Sequence, residues 1–441
     1  NSMINAGTGG SSAITLGAVQ ISTNTTLAVG VGDSGNVSLV SAAPVTGATG
    51  TSLRLGSSGT TTVSSTITGL SVLQVDRGDA TFTGDVGSSG TPIVSVILSA
   101  VSGATTFTGD FYATSVTGAG GSGSISFLGS TTRVTNAAAF SMAGALILGN
   151  GSDSLTFTNG ITATSATING TLTTVSSPIN ITSLTSTAAV LTTGSTSSST
   201  VTLGAVSGTT TITAGAVSIT GTASGAGNLT NNTGGNVTFS KALNMTGGLT
   251  VNATAATVSL PGGSVGSVTV TATTINLTTA PLFVTTSTVL SGSSAVTLQS
   301  GSGINSSSSG NTGAITINAG AGGFSQAANA GIFTRNNGAS AIALTVTGGG
   351  NASIGQLFAV QADNTTAATV TTTGPQTTVT ASHNAFLNWQ SFNIGASESV
   401  RFAQPSSASV VWNRIQGTAP SEIYGRLEAN GVVVLMNQAG F

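Results

Sequence analysis

From Ser267 to Thr279 the chain reads SVTVTATTINLTT, and Val268, Val270, Ile275 and Leu277 are set apart by small polar residues. An apolar residue at every second place gives a β-strand one face for a core and one for water. The same reading applies to TVSSTITGLSVLQV (62–75), SLTFTNGITATSATINGTLTTV (154–175) and GAITINAG (313–320). Gly or Asn interrupts each run after a few residues, and both tolerate the positive φ angles of tight corners. Gly, Ser, Thr, Asn and Val are mediocre or poor helix formers, whereas Thr and Val suit strands. The pattern predicts an all-β chain of short strands.

The strands recur. TFTGD occupies Thr81–Asp85 and again Thr106–Asp110, twenty-five residues later, and LTFTNG puts Phe157 fifty residues beyond Phe107. A period of this size marks a solenoid, in which each repeat buries its apolar face against the next. Phe239 falls outside the register, so the expectation is a family of coils of roughly 18–25 residues. Stacked coils would satisfy each other's main-chain N–H and C=O groups. Thr and Ser would line the outside. About 20 coils at ~4.8 Å each would make a rod on the order of 100 Å long.

Composition removes several alternatives. Charged residues are 4% of the 441, the formal net charge is −2 and the apolar share is 39%, so the chain collapses rather than staying solvated. It offers no basic surface for nucleic acid. No apolar run approaches the ~18 residues of a membrane helix, and aromatics at 4% are too few for the girdles of a membrane barrel; no membrane insertion is expected. There is no Cys and hence no disulfide framework. The opening NSMINAGTGG lacks a basic and an apolar leader region, so a signal peptide is expected to have been removed or left out.

Catalytic chemistry is also missing. His383 is the single His and has no acidic neighbour in TASHNAF, which gives neither a Ser–His–Asp triad nor a transition-metal site. Asp76 and Asp79 in VDRGDA form the best local carboxylate pair for a hard cation. The simpler reading is a turn with an Asp76–Arg77 surface charge, in which RGD (77–79) is coincidental. One Lys, Lys241, and scattered Arg do not make a polysaccharide-lyase groove. TVT and TFT recur without the regular register that a flat ice-binding face requires. No cofactor and no enzymatic activity are expected.

Composition shifts near 320–338, and the expected division is a repeat region, 1–325, followed by a distinct C-terminal β module, 326–441. The module gathers aromatic and charged residues in NWQSFNIG (388–395), ESVRFAQP (398–405), SVVWNRIQG (409–417) and PSEIYGRLEANGVVVLMNQAGF (420–441). The candidate residues are Asn388, Trp389, Phe392, Ile394, Phe402, Gln404, Pro405, Trp412, Asn413, Arg414, Gly425, Asn430, Gly431 and Asn437. Trp389, Phe392, Phe402 and Trp412 are expected to supply packing area to a cap over the exposed strand edge, or else to form the core and surface of a better-packed subdomain. Alternation in SEIYGRLEANG puts Glu422, Tyr424, Arg426 and Glu428 on one face.

From His383 to Phe441 these motifs resemble the secretion domain of the filamentous haemagglutinin family, the exoproteins of two-partner secretion. NQAGF stands where that family has N-P-N-G-I, and residues 1–382 precede a module that the family places ahead of its repeats. The resemblance implies a right-handed parallel β-helix, recognition by an outer-membrane transporter, and a place outside the cell or on a bacterial surface. The expected function is that of a structural or adhesive exoprotein, a β-helical rod that self-associates end to end into a filament, with a host or matrix glycan as a further partner. The module would then serve as a cap or assembly region. The alternative is a polysaccharide-binding or polysaccharide-cleaving β-helix.

Overall fold

The computed structural model describes residues 2–5, 13–31, 34–40, 43–99, 102–194, 199–306, 314–327, 330–334, 342–347, 352–353, 356–360, 366–389, 391–415 and 418–441. It comprises two compact units, 1–236 and 237–441. All regular structure among the described residues is β-strand, and both units are parallel β-solenoids.

In the first unit the chain returns after every coil to pair in parallel with the coil before. Strands Thr60–Val63, Asp79–Phe82, Thr105–Phe107, Ile125–Phe127 and Leu146–Leu148 are joined in this way. Their inward residues Val63, Phe82, Phe107, Phe127 and Leu148 form one column, and all are buried. Phe82 and Phe107 stack with ring centroids 4.7 Å apart, and Phe107 and Phe127 at 5.1 Å. Phe111 meets Phe107 and Phe127 edge-on at 4.9 and 4.8 Å. Offset and edge-on pairs of this kind add to the apolar burial itself.

The recurrence at Phe157 has a different meaning. Phe157 lies opposite Val134 in a neighbouring column, while the column of Phe107 continues to Phe127 and Leu148. Coil length varies. One coil carries the chain from Ala80 to its partner Thr105, the next only from Thr105 to Ile125, and a shorter one from Thr200 to Ala216. Corners absorb the difference, so residues at unequal sequence spacing come into line. Thr62, Thr81 and Thr106 thereby fall into one outward register, which continues to the buried Ser126, a regularity that the linear spacing of TVT and TFT conceals.

Asp76 does not pair with Arg77. Its Oδ2 accepts from Nε of Arg54, on the adjacent coil, at 2.6 Å, and its Oδ1 accepts from the Gln74 amide at 2.9 Å. Asp79 accepts the Ala104 N–H at 2.7 Å. Both carboxylates are engaged in coil-to-coil bonds, and no cluster of three His, Cys, Asp or Glu exists among the described residues.

In the second unit Leu249 and Val251, Val268 and Val270, then Leu290, Ile317 and Leu344 stack inward along parallel strands. Coils lengthen along this unit, and Phe324 finds its partner only at Ala352. The direction then reverses. Gln356–Val360 and Thr366–Thr373 are antiparallel, as are Thr366–Thr373 and Gln376–Ala381. The second reversal uses the tight turn Gly374–Pro375, with Gly374 at φ +58°, the conformation that such a hairpin asks of its first central residue. Parallel pairing resumes when Gln376–Ala381 takes Ser399–Ala403 as its neighbour.

Candidate functional site

The C-terminal module is built on two parallel ladders. One runs through Gln376–Ala381, Ser399–Ala403 and Arg426–Ala429. The other runs through Ala385–Trp389, Val410–Ile415 and Val432–Asn437. Alternation sends Val379, Ala385, Val400, Phe402, Val411 and Ile415 into a shared core with Phe392 and Ile394, and Leu387, Trp389, Val433 and Leu435 pack against it. Trp389 meets Phe392 edge-on at 5.4 Å, and Phe392 stacks on Phe402 at 6.4 Å.

The polar motif residues tie coil to coil. Asn413, fully buried, accepts from the Trp389 indole Nε1–H at 2.9 Å and donates to the Val434 carbonyl at 3.2 Å. The Gln404 side-chain amide donates to the carbonyls of Ser409 at 2.8 Å and Val432 at 3.0 Å. Asn430 clamps the Gln404 main chain from the next coil: its Oδ1 accepts the Gln404 N–H and its Nδ2 donates to the Gln404 carbonyl, both at 2.6 Å. A Cβ at Gly431 would lie 2.7 Å from the Ser409 carbonyl and 2.8 Å from Gln404 Nε2, so glycine there leaves the Gln404 contacts room. Asn437 donates to Ser421 Oγ at 2.9 Å and to the Ala419 carbonyl at 3.2 Å. Gly425 is wedged against the carbonyls of Gly395 and Glu398. Pro405, exposed, follows the end of strand Ser399–Ala403, where a residue without N–H costs no ladder bond.

Removing the Asn413 amide leaves an indole N–H and a carbonyl without their partners inside the module. Asn413→Ala is expected to lower stability by about 1–3 kcal/mol. Urea titration of the two proteins checks it.

Asn388, Trp412 and Arg414 stand apart from this interior group. Trp412 is 39% exposed and lies on the outward side of its strand, between Val411 and Asn413, which point in. It does not join Trp389, Phe392 and Phe402 inside, because the strand's period of two assigns it to the outer face. Its register partners are Phe386 and Val434, and Phe386 is 48% exposed. Asn388, Arg414 and Met436 form the next row, and the Arg414 guanidinium lies 5.9 Å from the Phe386 ring centroid. Phe386 is the member of this face that the sequence motifs do not single out. The signal is present in AFLNW, where Phe386 and Asn388 alternate with Leu387 and Trp389. On the other ladder Arg426 and Glu428 form an ion pair on one face, as the alternation in SEIYGRLEANG predicts.

Comparison with known proteins bears on residues 352–441, which match the model of the TPS secretion domain. The chain is 41% identical over 70 residues, 16% of its length and 8% of the relative's, to a heme/hemopexin-binding protein of Haemophilus influenzae. It is 46% identical over 54 residues, 12% of its length and 6% of the relative's, to a heme/hemopexin-binding protein of Haemophilus influenzae strain Rd. The chain thus spans less than a tenth of the length of these curated relatives, 8% and 6%. No solved structure matches it. Proteins that carry this domain are secreted to the cell surface or the surrounding medium. Set on a parallel β-solenoid, with its motif residues serving as coil-to-coil ties, the segment 352–441 matches the TPS secretion domain of two-partner secretion exoproteins.

Proposed function

We propose that this chain is a non-enzymatic passenger of two-partner secretion, in which residues 352–441 are engaged by a partner outer-membrane transporter and the solenoid is the part displayed outside. The match of 352–441 to the TPS secretion domain carries the reading. The composition supports it: a chain with no Cys and 4% charged residues can cross a membrane unfolded without cross-links and then collapse into coils. The displayed solenoid fits a structural or adhesive role at the surface, with end-to-end association as its assembly. Coil stacking by main-chain pairing supports the latter, because a further copy can continue the same ladder.

Co-expression with a two-partner transporter from the same genome tests the export role. The full chain is expected in the medium, and a chain lacking 352–441 is expected to be retained entirely. Equal export of the truncated chain would sink the reading. Sedimentation of the purified 42.3 kDa chain tests the assembly: species heavier than the monomer are expected to grow with concentration.

A further inference from the structure

Large aromatic side chains are scarce in this chain, and most of those described are buried: Phe82, Phe107, Phe111, Phe127, Phe157, Phe324 and Phe402 are no more than 1% exposed. Phe386 and Trp412 break that rule side by side. They are register partners on adjacent strands, 48% and 39% exposed, on one face of a three-stranded ladder. Val432, 48% exposed, and Val434 extend the apolar strip across the third strand. Other exposed aromatics, such as Phe283, Tyr424 and Phe441, are not register partners of one another, and a contiguous exposed apolar strip of this kind marks a binding surface. The strip has one formal charge at its side, the Arg414 guanidinium. Among the described residues the ion pairs are Arg54–Asp76 and Arg426–Glu428, so Arg414 has no carboxylate of its own.

We propose that this face binds an acidic polysaccharide, with sugar rings laid on Trp412 and Phe386 and a ring carboxylate held by Arg414. A pyranose has an apolar C–H face and a polar edge. A flat aromatic pair fits the first, and a guanidinium donor beside it fits the second, especially where the edge carries a carboxylate. Two aromatics on neighbouring strands of a rigid ladder offer consecutive platforms to an extended polymer at small ordering cost. The unpaired cation selects an anionic polymer over a neutral one. The site is independent of the export reading, since the assay below uses the purified folded chain and no transporter.

Affinity electrophoresis in gels containing polygalacturonate or dextran tests the proposal. Polygalacturonate is expected to retard the chain, and dextran is not. Trp412→Ala and Phe386→Ala are each expected to weaken retardation by roughly tenfold or more, the effect of truncating an aromatic anchor. Arg414→Gln is expected to weaken it and to remove its dependence on salt. All three side chains face outward, and far-UV circular dichroism reports whether each variant keeps its strands. Should Trp412→Ala lose them, Phe386→Ala and Arg414→Gln interrogate the same face. The proposal is overturned by free migration of the wild type in polygalacturonate, by equal retardation in dextran, or by folded variants that bind as the wild type does.

Discussion

Phe107→Ala is expected to destabilise the first unit by about 3–5 kcal/mol, the usual cost of emptying a buried aromatic site. Phe107 is the hub of the aromatic column, touching Phe82, Phe111 and Phe127. Phe82 and Phe127 belong to the coils before and after and Phe111 to the same coil, and all are held in place by ladders that cannot close around the void. Because each coil of a solenoid contacts only its neighbours, the loss should stay local. Amide hydrogen exchange in strands Asp79–Phe82, Thr105–Phe107 and Ile125–Phe127 should accelerate on the order of 10²–10³-fold. Exchange in the second unit, 237–441, should be unchanged. Uniform acceleration along the whole chain would show that the column is not a local element but part of one cooperative block.

Gly425→Val should cost the module about 3 kcal/mol or more, at or beyond the upper end of overpacking penalties. A Cβ at Gly425 runs into the main-chain oxygens of Gly395 and Glu398 and the Ile394 methyl. The Gly425 N–H donates to the Ile394 carbonyl at 3.0 Å, and the Glu398 carbonyl accepts from Arg426 at 3.0 Å. Neither neighbour can withdraw without breaking a coil-to-coil bond. Gly395→Ala is the control: the atoms nearest its added carbon belong to the Glu398 side chain, 3.3 Å away, an exposed group that can shift at the cost of one hydrogen bond, from the Gly395 N–H. Both tryptophans, Trp389 and Trp412, lie in this module, so selectively excited tryptophan fluorescence during urea unfolding reports on it alone. A Gly425→Val midpoint equal to that of Gly395→Ala would refute the packing argument.

Legibility in the sequence differs by element. The stacking of short strands into coils follows from period-two runs such as SVTVTATTINL, since strands with one apolar face and frequent corners must stack to hide it. The register does not follow. TFTGD reveals the true partnership of Phe82 with Phe107, yet the same logic misplaces Phe157, because the coil from Ala80 to Thr105 is longer than the one from Thr105 to Ile125. Strand direction is invisible, because alternation looks the same in parallel and antiparallel strands. Only Gly374–Pro375 gives local notice of the reversal. In the module, motif residues such as Trp389, Gln404, Asn413 and Asn430 stand out in the sequence, but their task as ties between coils needs the structure. Trp412 shows the limit of composition, which flags a tryptophan without saying which side of its strand it occupies.

Among the described residues, parallel strand partners lie close along the chain: of the parallel pairs named above, the shortest closure joins Thr200 to Ala216 and the longest joins Phe324 to Ala352. Each closure therefore carries the modest entropic penalty of a short loop, and this β architecture escapes the slow, distant pairing that delays sandwiches and barrels. A polypeptide fed into solvent from one end can wind up whatever has already emerged, using the last finished rung as the template for the next. Every completed turn then opposes retreat, so winding itself pulls the remainder forward without an external source of energy.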